Sequence, residues 1–141
     1  MAETVRTLES KLGWPAALTS YLQSELLSHF GDAWVTGHGP LVSRMTNDEK
    51  DRHVLAAAVR TGAHAILTEN VKHFPAESVE PYNIDVLTPD QFLAHQFHLN
   101  RELLEEKLCG QAKARGVPYE ALIQRLAKWA PSLPELLLES A

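Results

Sequence analysis

The sequence predicts an α/β fold in which a parallel sheet is flanked by helices and is followed by an all-helical C-terminal segment. Two short apolar runs, at residues 65–68 and 84–87, have the length and composition of buried strands. An amphipathic helix at residues 48–60 precedes the first of them, and the connections are short. Strands that alternate with helices over short connections are joined by crossovers and pair in parallel. We therefore expect an α/β domain that is followed by a helical C-terminal part.

The N-terminal elements follow from the spacing of apolar residues. Residues 1–12 carry apolar side chains at helical spacing, and Gly13-Trp14-Pro15 ends this first helix. Proline suits the first turn of a helix, so a second helix is predicted at residues 15–30. Residues 33–36 form a short apolar run before a Gly-Pro turn cluster, which predicts a short buried strand.

The elements around and beyond the second strand are predicted to be mostly helical. Thr88, Pro89 and Gln91 form a helix start, with a capping threonine, a proline at the first position and a glutamine three residues after the cap. The predicted elements are one helical turn at 70–74, a loop at 75–83, a helix at 88–114, a helix at 118–129 and a short last helix through 136–138.

Composition excludes several classes of protein. The chain has 141 residues and a formal net charge of −5, so no basic field covers the whole molecule; a nuclease would have to meet RNA through a local groove. Its single cysteine cannot form a disulfide framework or a cysteine-rich zinc site, which favours a cytoplasmic location. Since no apolar run reaches the length of about 18 residues that a membrane span needs, we expect no membrane association.

Carboxylates cluster at the start of the central predicted helix. Asp48, Asp51 and Leu55 share one helical face, which is otherwise apolar. Capping explains one acid or amide at the helix start, Asn47 or Asp48, but it does not explain Asp51, which is predicted to lie inside the helix on its buried side. The strand at residues 65–68 ends just before Asn70, and ligands of parallel α/β sheets collect at such strand ends. The sequence therefore predicts a polar site there.

These segments resemble the core motif of the PIN-domain family, metal-dependent ribonucleases that include the VapC-type toxins. The resemblance rests on Asp51-Arg52-His53-Val54-Leu55-Ala56-Ala57-Ala58, Gly62-Ala63, Thr68-Glu69-Asn70-Val71-Lys72-His73-Phe74-Pro75 and Ile84-Asp85-Val86-Leu87-Thr88-Pro89-Asp90-Gln91-Phe92-Leu93. It implies a PIN-like fold, Mg²⁺- or Mn²⁺-dependent cleavage of RNA, and a cognate antitoxin as partner. It also implies a PIN-like domain at residues 1–93, because the residues at 94–141 are similar to the helical extension of a subset of these toxins.

The resemblance also implies a set of metal ligands. The acid of the family's central helix corresponds to Asp51, and the position after the following strand corresponds to Asn70. The acid of the early helix corresponds to Glu3, because Glu3 is followed five residues later by Leu8. Asp48 lies close enough to Asp51 to join them. The family's first strand, which ends in an aspartate, has no counterpart here, and we expect it and the second strand to lie upstream of Met1.

Three alternatives stay open at this point. The chain could be a non-catalytic PIN-like interaction module that binds an antitoxin or associates with itself. His95 and His98 could form a metal pair on one helix face, although a partly exposed pair is the simpler interpretation. Basic residues that flank the predicted site could bind phosphate as a local patch or could be ordinary surface charges; they are Arg44, Lys50, Arg52, Lys72 and His73.

Overall fold

The computed structural model describes residues 2–138, and the side chains of residues 2 and 3 lie outside the described part. The chain forms two compact units, Met1–Thr36 and Gly37–Ala141. The predicted boundary after residue 93 is a different division, based on the family resemblance, and it stays a prediction.

The N-terminal unit contains a pair of helices, as predicted. Helix α1 spans Ala2–Leu12 and helix α2 spans Ala16–His29. Gly13 has a φ of +66°, which a glycine adopts without strain, and it turns the chain between the helices. Thr19 of α2 links the two helices, because its buried hydroxyl donates a hydrogen bond of 2.6 Å to Oε1 of Glu9 in α1.

The predicted strand at residues 33–36 is wrong. Gly31–Ala33 forms a 3-10 turn instead, and Trp34 is 36% exposed. A strand needs a hydrogen-bonding neighbour to satisfy its backbone groups. The described elements of this unit are helical, so none of them supplies such a neighbour.

The second unit contains the predicted parallel strands. Strand β1 (Ala65–Leu67) pairs in parallel with strand β2 (Asp85–Leu87), with Ile66 opposite Val86. The preceding elements are helix α3 (Gly39–Val42), a 3-10 turn (Glu49–Asp51) and helix α4 (Arg52–Thr61). Between the strands lie a 3-10 turn (Val71–His73), helix α5 (Ala76–Val79) and a second 3-10 turn (Glu80–Tyr82). The turn predicted at 70–74 is confirmed, and the loop predicted at 75–83 is wrong because it is largely helical.

An apolar core joins α4 to the two strands. Leu55 and Ala56 of α4 are fully buried, and they share one cluster with Ile66, Phe74 and Ile84. Gly62 adopts a left-handed conformation and caps α4, and its N–H donates to carbonyls of the last helical turn. This tight reversal places the beginning of α4 at the same end of the unit as the end of β1.

The predicted start of the central helix needs correction. The helix begins at Arg52, and Asp51 is its capping residue, with φ −107° and ψ 5°. Asp51 therefore does not lie inside the helix on a buried face. The predicted cap at Asp48 is confirmed for the preceding 3-10 turn, because its side chain accepts a 3.1 Å hydrogen bond from the backbone N–H of Lys50.

The described secondary-structure elements after β2 are all helices. Helices α6 (Pro89–Leu99), α7 (Arg101–Ala114), α8 (Tyr119–Leu126) and α9 (Leu133–Leu138) follow in order. The capping box predicted at Thr88 and Gln91 is confirmed. The single helix predicted at 88–114 is interrupted at Asn100, whose extended backbone ends α6 and whose side chain caps α7 by accepting from the N–H of Leu103. A second core cluster lies here, formed by Leu108, Ile123, Ala130 and Leu133.

None of the described helices combines the length and the apolar character that crossing a membrane requires.

Candidate metal centre

Three potential metal ligands converge where α4 begins. Asp48, Asp51 and His73 each offer one ligand atom, and these three atoms all lie within 4.8 Å of one another. Asp48 is exposed, whereas Asp51 and His73 are partly buried. Asp48 and Asp51 were predicted from sequence as site residues, and the fold brings them together.

Two turns hold the cluster in place. The turn Glu49–Asp51 sets the spacing of the two carboxylates, since the N–H of Asp51 donates to the carbonyl of Asp48 at 2.9 Å. The turn Val71–His73, which follows β1, carries the imidazole. The backbone N–H of Asp48 donates to the carbonyl of His73 at 3.0 Å, so the two turns are tied directly.

A short side-chain contact completes this arrangement. Nδ1 of His73 lies 2.6 Å from Oδ2 of Asp51, and the two side chains are 27% and 25% exposed. When Nδ1 carries the proton and donates a hydrogen bond to the carboxylate, Nε2 keeps its lone pair. Histidines that bind metals commonly donate their other ring N–H to a carboxylate in this way, because the bond fixes the tautomer and the ring orientation.

The donor set fits a divalent cation. Two carboxylates held this close repel each other unless a positive charge lies between or beside them. Carboxylate oxygens suit Mg²⁺ and Mn²⁺, and an imidazole nitrogen shifts the preference towards Mn²⁺ and later transition metals. The three residues together supply only part of a coordination shell, which leaves room for waters and a phosphate oxygen.

The other two predicted ligands are Asn70 and Glu3. Asn70 is exposed, and it opens the turn whose last residue is His73; its backbone N–H donates to Oγ1 of Thr68 at 3.0 Å. The side chain of Glu3 lies outside the described residues, so its role as a ligand stays a prediction. Asn70 likewise stays a prediction as a ligand.

His73 is the candidate ligand that sequence reasoning missed. It was predicted only as part of a basic flank. Its position three residues after Asn70, in a predicted single turn, was the available signal. Within the described residues, the exposed histidines His95 and His98 belong to no group of three metal-ligating side chains, so the alternative metal pair gains no third ligand.

A parallel strand pair with two carboxylates and an imidazole at the end of its first strand defines an α/β protein with a candidate divalent-cation site. Over 109 residues the chain is 40% identical to the protein named "Putative ribonuclease VapC50" from Mycobacterium tuberculosis. The chain belongs to the VapC-type PIN-domain family, and the resemblance found in its motif is confirmed. The match covers 77% of this chain and 63% of that relative. No family model matches the chain, and no solved structure does either.

Asn47, next to the cluster, gives a prediction about stability. Its side chain is buried, with 3% of the residue exposed, and neither amide atom has a hydrogen-bond partner among the described residues. An unpaired buried amide costs about 1–3 kcal/mol. We expect Asn47→Leu, which is similar in shape, to raise the free energy of unfolding by about 1 kcal/mol in urea melts.

The exposed Asn70 provides the control for this substitution. Asn70→Leu should change the free energy of unfolding by less than about 0.5 kcal/mol, because its amide is solvated in both states. A clear loss of stability in Asn47→Leu would show that the Asn47 amide is satisfied in solution.

Proposed function

We propose that the chain is a VapC-type endoribonuclease that cleaves single-stranded RNA with the help of a bound Mg²⁺ or Mn²⁺. The observation that carries this proposal is the convergence of Asp48, Asp51 and His73 within 4.8 Å at the end of β1. Family membership supports it, and the relative from M. tuberculosis is itself named as a ribonuclease. Asn70 and Glu3 are proposed as additional ligands on the basis of the family motif.

The chain's own residues would hold the cation and orient the site. When bound, a divalent cation supplies Lewis-acid catalysis for phosphodiester hydrolysis. Asp48 and Asp51 would provide anionic oxygens, and His73 would provide a nitrogen whose orientation the Asp51 contact fixes. Since an imidazole favours Mn²⁺ over Mg²⁺, we expect Mn²⁺ to bind the more tightly of the two.

Basic side chains beside the cluster would contact the RNA backbone. Lys50 lies between Asp48 and Asp51 in the sequence, and Lys72 precedes His73; both lysines are exposed. Arg52 is partly buried and its Nε donates to the carbonyl of Asn47 at 3.3 Å. A local patch of this kind can bind phosphates even though the chain as a whole carries a net charge of −5.

The family also supports proposals about organisation and partners. We propose a PIN-like domain at residues 1–93 and a helical extension at residues 94–141, which the separate core cluster around Leu108 and Leu133 favours. A type II toxin acts in the cytoplasm and is neutralised by an antitoxin protein, so an antitoxin is the proposed protein partner.

The ribonuclease proposal predicts cation-dependent internal cleavage. We expect the full chain, given Mn²⁺ and an end-labelled single-stranded RNA, to produce internal fragments, and EDTA to stop the reaction. Asp48→Asn, purified in the same way, should cleave about 10- to 100-fold more slowly, because one anionic ligand becomes neutral. Fragment formation is measured on denaturing gels.

Two results would contradict the proposal. Cleavage that EDTA and Asp48→Asn leave unchanged would indicate a contaminating nuclease. A chain that binds Mn²⁺ but leaves every RNA intact would favour the non-catalytic interaction module.

A further inference from the structure

A second concave site lies among the C-terminal helices, and none of the candidate metal ligands contributes to it. It is a cleft of about 500 Å³ between α7, α8 and α9, within the size range of small-molecule pockets. Ile123, Pro134 and Leu137 form apolar walls. Glu105, Tyr119 and Glu120 add polar groups to the same cleft. An apolar surface with a few convergent polar groups is the usual composition of a ligand site.

The positive charge that borders the cleft is already compensated. Nε of Arg101 donates to Oε1 of Glu105 at 2.6 Å, and the guanidinium also lies over the ring of Phe97, 5.5 Å from its centroid. Glu120 adds a second carboxylate to the lining. The balance of formal charges at the cleft is therefore negative.

Tyr119 lines the cleft, and these charges affect the pKa of its hydroxyl. Burial of its hydroxyl raises the pKa of Tyr119 above the usual value, and the neighbouring Cys109 and Glu105 raise this pKa further. The guanidinium of Arg101 lowers this pKa and the carboxylate of Glu120 raises it, both with weaker effects. The carboxylates of Glu105 and Glu120, which disfavour a negative charge on the Tyr119 oxygen, would favour a positive charge placed next to it.

We propose that this cleft binds a small organic amine, with the ammonium group against Glu105, Glu120 and the Tyr119 hydroxyl and the apolar body against Ile123, Pro134 and Leu137. The Oε oxygens of the two glutamates and the phenol oxygen all accept hydrogen bonds from an ammonium group, which has donors only. Arg101 also lines the cleft, but the two glutamates outnumber it, so an anionic ligand of the same shape would enter a site of net negative charge. Charge complementarity thus selects an amine over a carboxylate.

Cys109 lines the cleft, so the chemical modification of its thiol can be used to measure ligand binding there. Cys109 is the only cysteine of the chain and it is exposed, so a thiol reagent modifies this position alone. A ligand that occupies the cleft should shield the Cys109 sulfur. Alkylation of the full chain by iodoacetamide, followed by mass spectrometry, therefore measures occupancy directly.

The experiment compares 4-phenylbutylamine with 4-phenylbutyrate, which have similar apolar bodies and opposite charges. The amine should slow alkylation of Cys109 in a saturable manner and bind about tenfold more tightly than the carboxylate by calorimetry, a difference of about 1.4 kcal/mol. Alkylation of glutathione under the same conditions controls for direct effects on the reagent.

A matched pair of variants tests the charge argument. Glu120→Gln should weaken binding of the amine about twofold to fivefold, as expected for a partly solvated ion pair. Glu106→Gln removes the same charge from α7 at an exposed position outside the cleft, where Glu106 pairs with Lys107, and it should leave the affinity unchanged. Equal protection by the carboxylate, no protection by either probe at millimolar concentration, or equal effects of the two variants would overturn the proposal.

Discussion

We expect Asp51→Asn to reduce the affinity of the chain for Mn²⁺ by about 10- to 100-fold, with a parallel loss of RNA cleavage. The substitution changes two things at once. It removes the negative charge of one ligand, and it weakens the 2.6 Å contact that orients the imidazole of His73. Because a hard cation depends on both the charge and the geometry of its ligands, this single change should have the largest effect on the site.

Glu49→Gln is the matched control for Asp51→Asn. Glu49 lies in the same 3-10 turn, between Asp48 and Asp51, but it does not belong to the cluster of ligand atoms. Isothermal titration with Mn²⁺ should show nearly unchanged binding in this variant. If both variants lose affinity equally, the net charge of the turn would determine binding, and the assignment of Asp51 as a ligand would be wrong.

The largest expected effect on stability belongs to Leu55→Ala, which should lower the free energy of unfolding by about 3–5 kcal/mol. Leu55 is 0% exposed and lies in the core cluster that joins α4 to both strands. Its replacement removes buried apolar surface and leaves a cavity that a close-packed core fills only in part. Since α4 also carries Asp51 at its start, this loss should weaken the site as well.

Leu67→Ala controls for the chemistry of this substitution. Leu67 lies on β1 next to the core residue Ile66, but it is 50% exposed and does not belong to the core cluster. Its truncation should cost less than about 1 kcal/mol, and both variants can be compared in urea melts at neutral pH. A similar cost for the two leucines would mean that the core around Leu55 is not closely packed in solution.

Much of the fold follows from local sequence signals. The parallel pairing of the strands was predicted because strands and helices that alternate over short connections allow few other topologies. The start of α6 was predicted because Thr88 and Gln91 satisfy the first backbone N–H groups of a helix through contacts within one turn. These features depend on residues a few positions apart, which the linear order displays directly.

Other features were not predicted, either because the deciding partner is distant in the chain or because two local patterns compete. Residues 33–36 have the composition of a strand, but the absence of a neighbouring strand in the described part of their unit leaves them as a turn and an exposed loop. The helical pattern of residues 88–114 continues through Asn100, yet the side chain of Asn100 competes for the backbone and starts a new helix. Local pattern alone does not decide such competitions.

The candidate metal site was predicted from the sequence only in part. Periodicity and strand order are enough to place acids at the start of α4 and the end of a parallel strand near Asn70. The fold is needed to bring His73 to Asp48 and Asp51, because the contact joins residues 22 positions apart. The reason is that the two turns which set this contact are held by the packing of α4 on β1, and packing between distant segments has no signature in a local stretch of sequence.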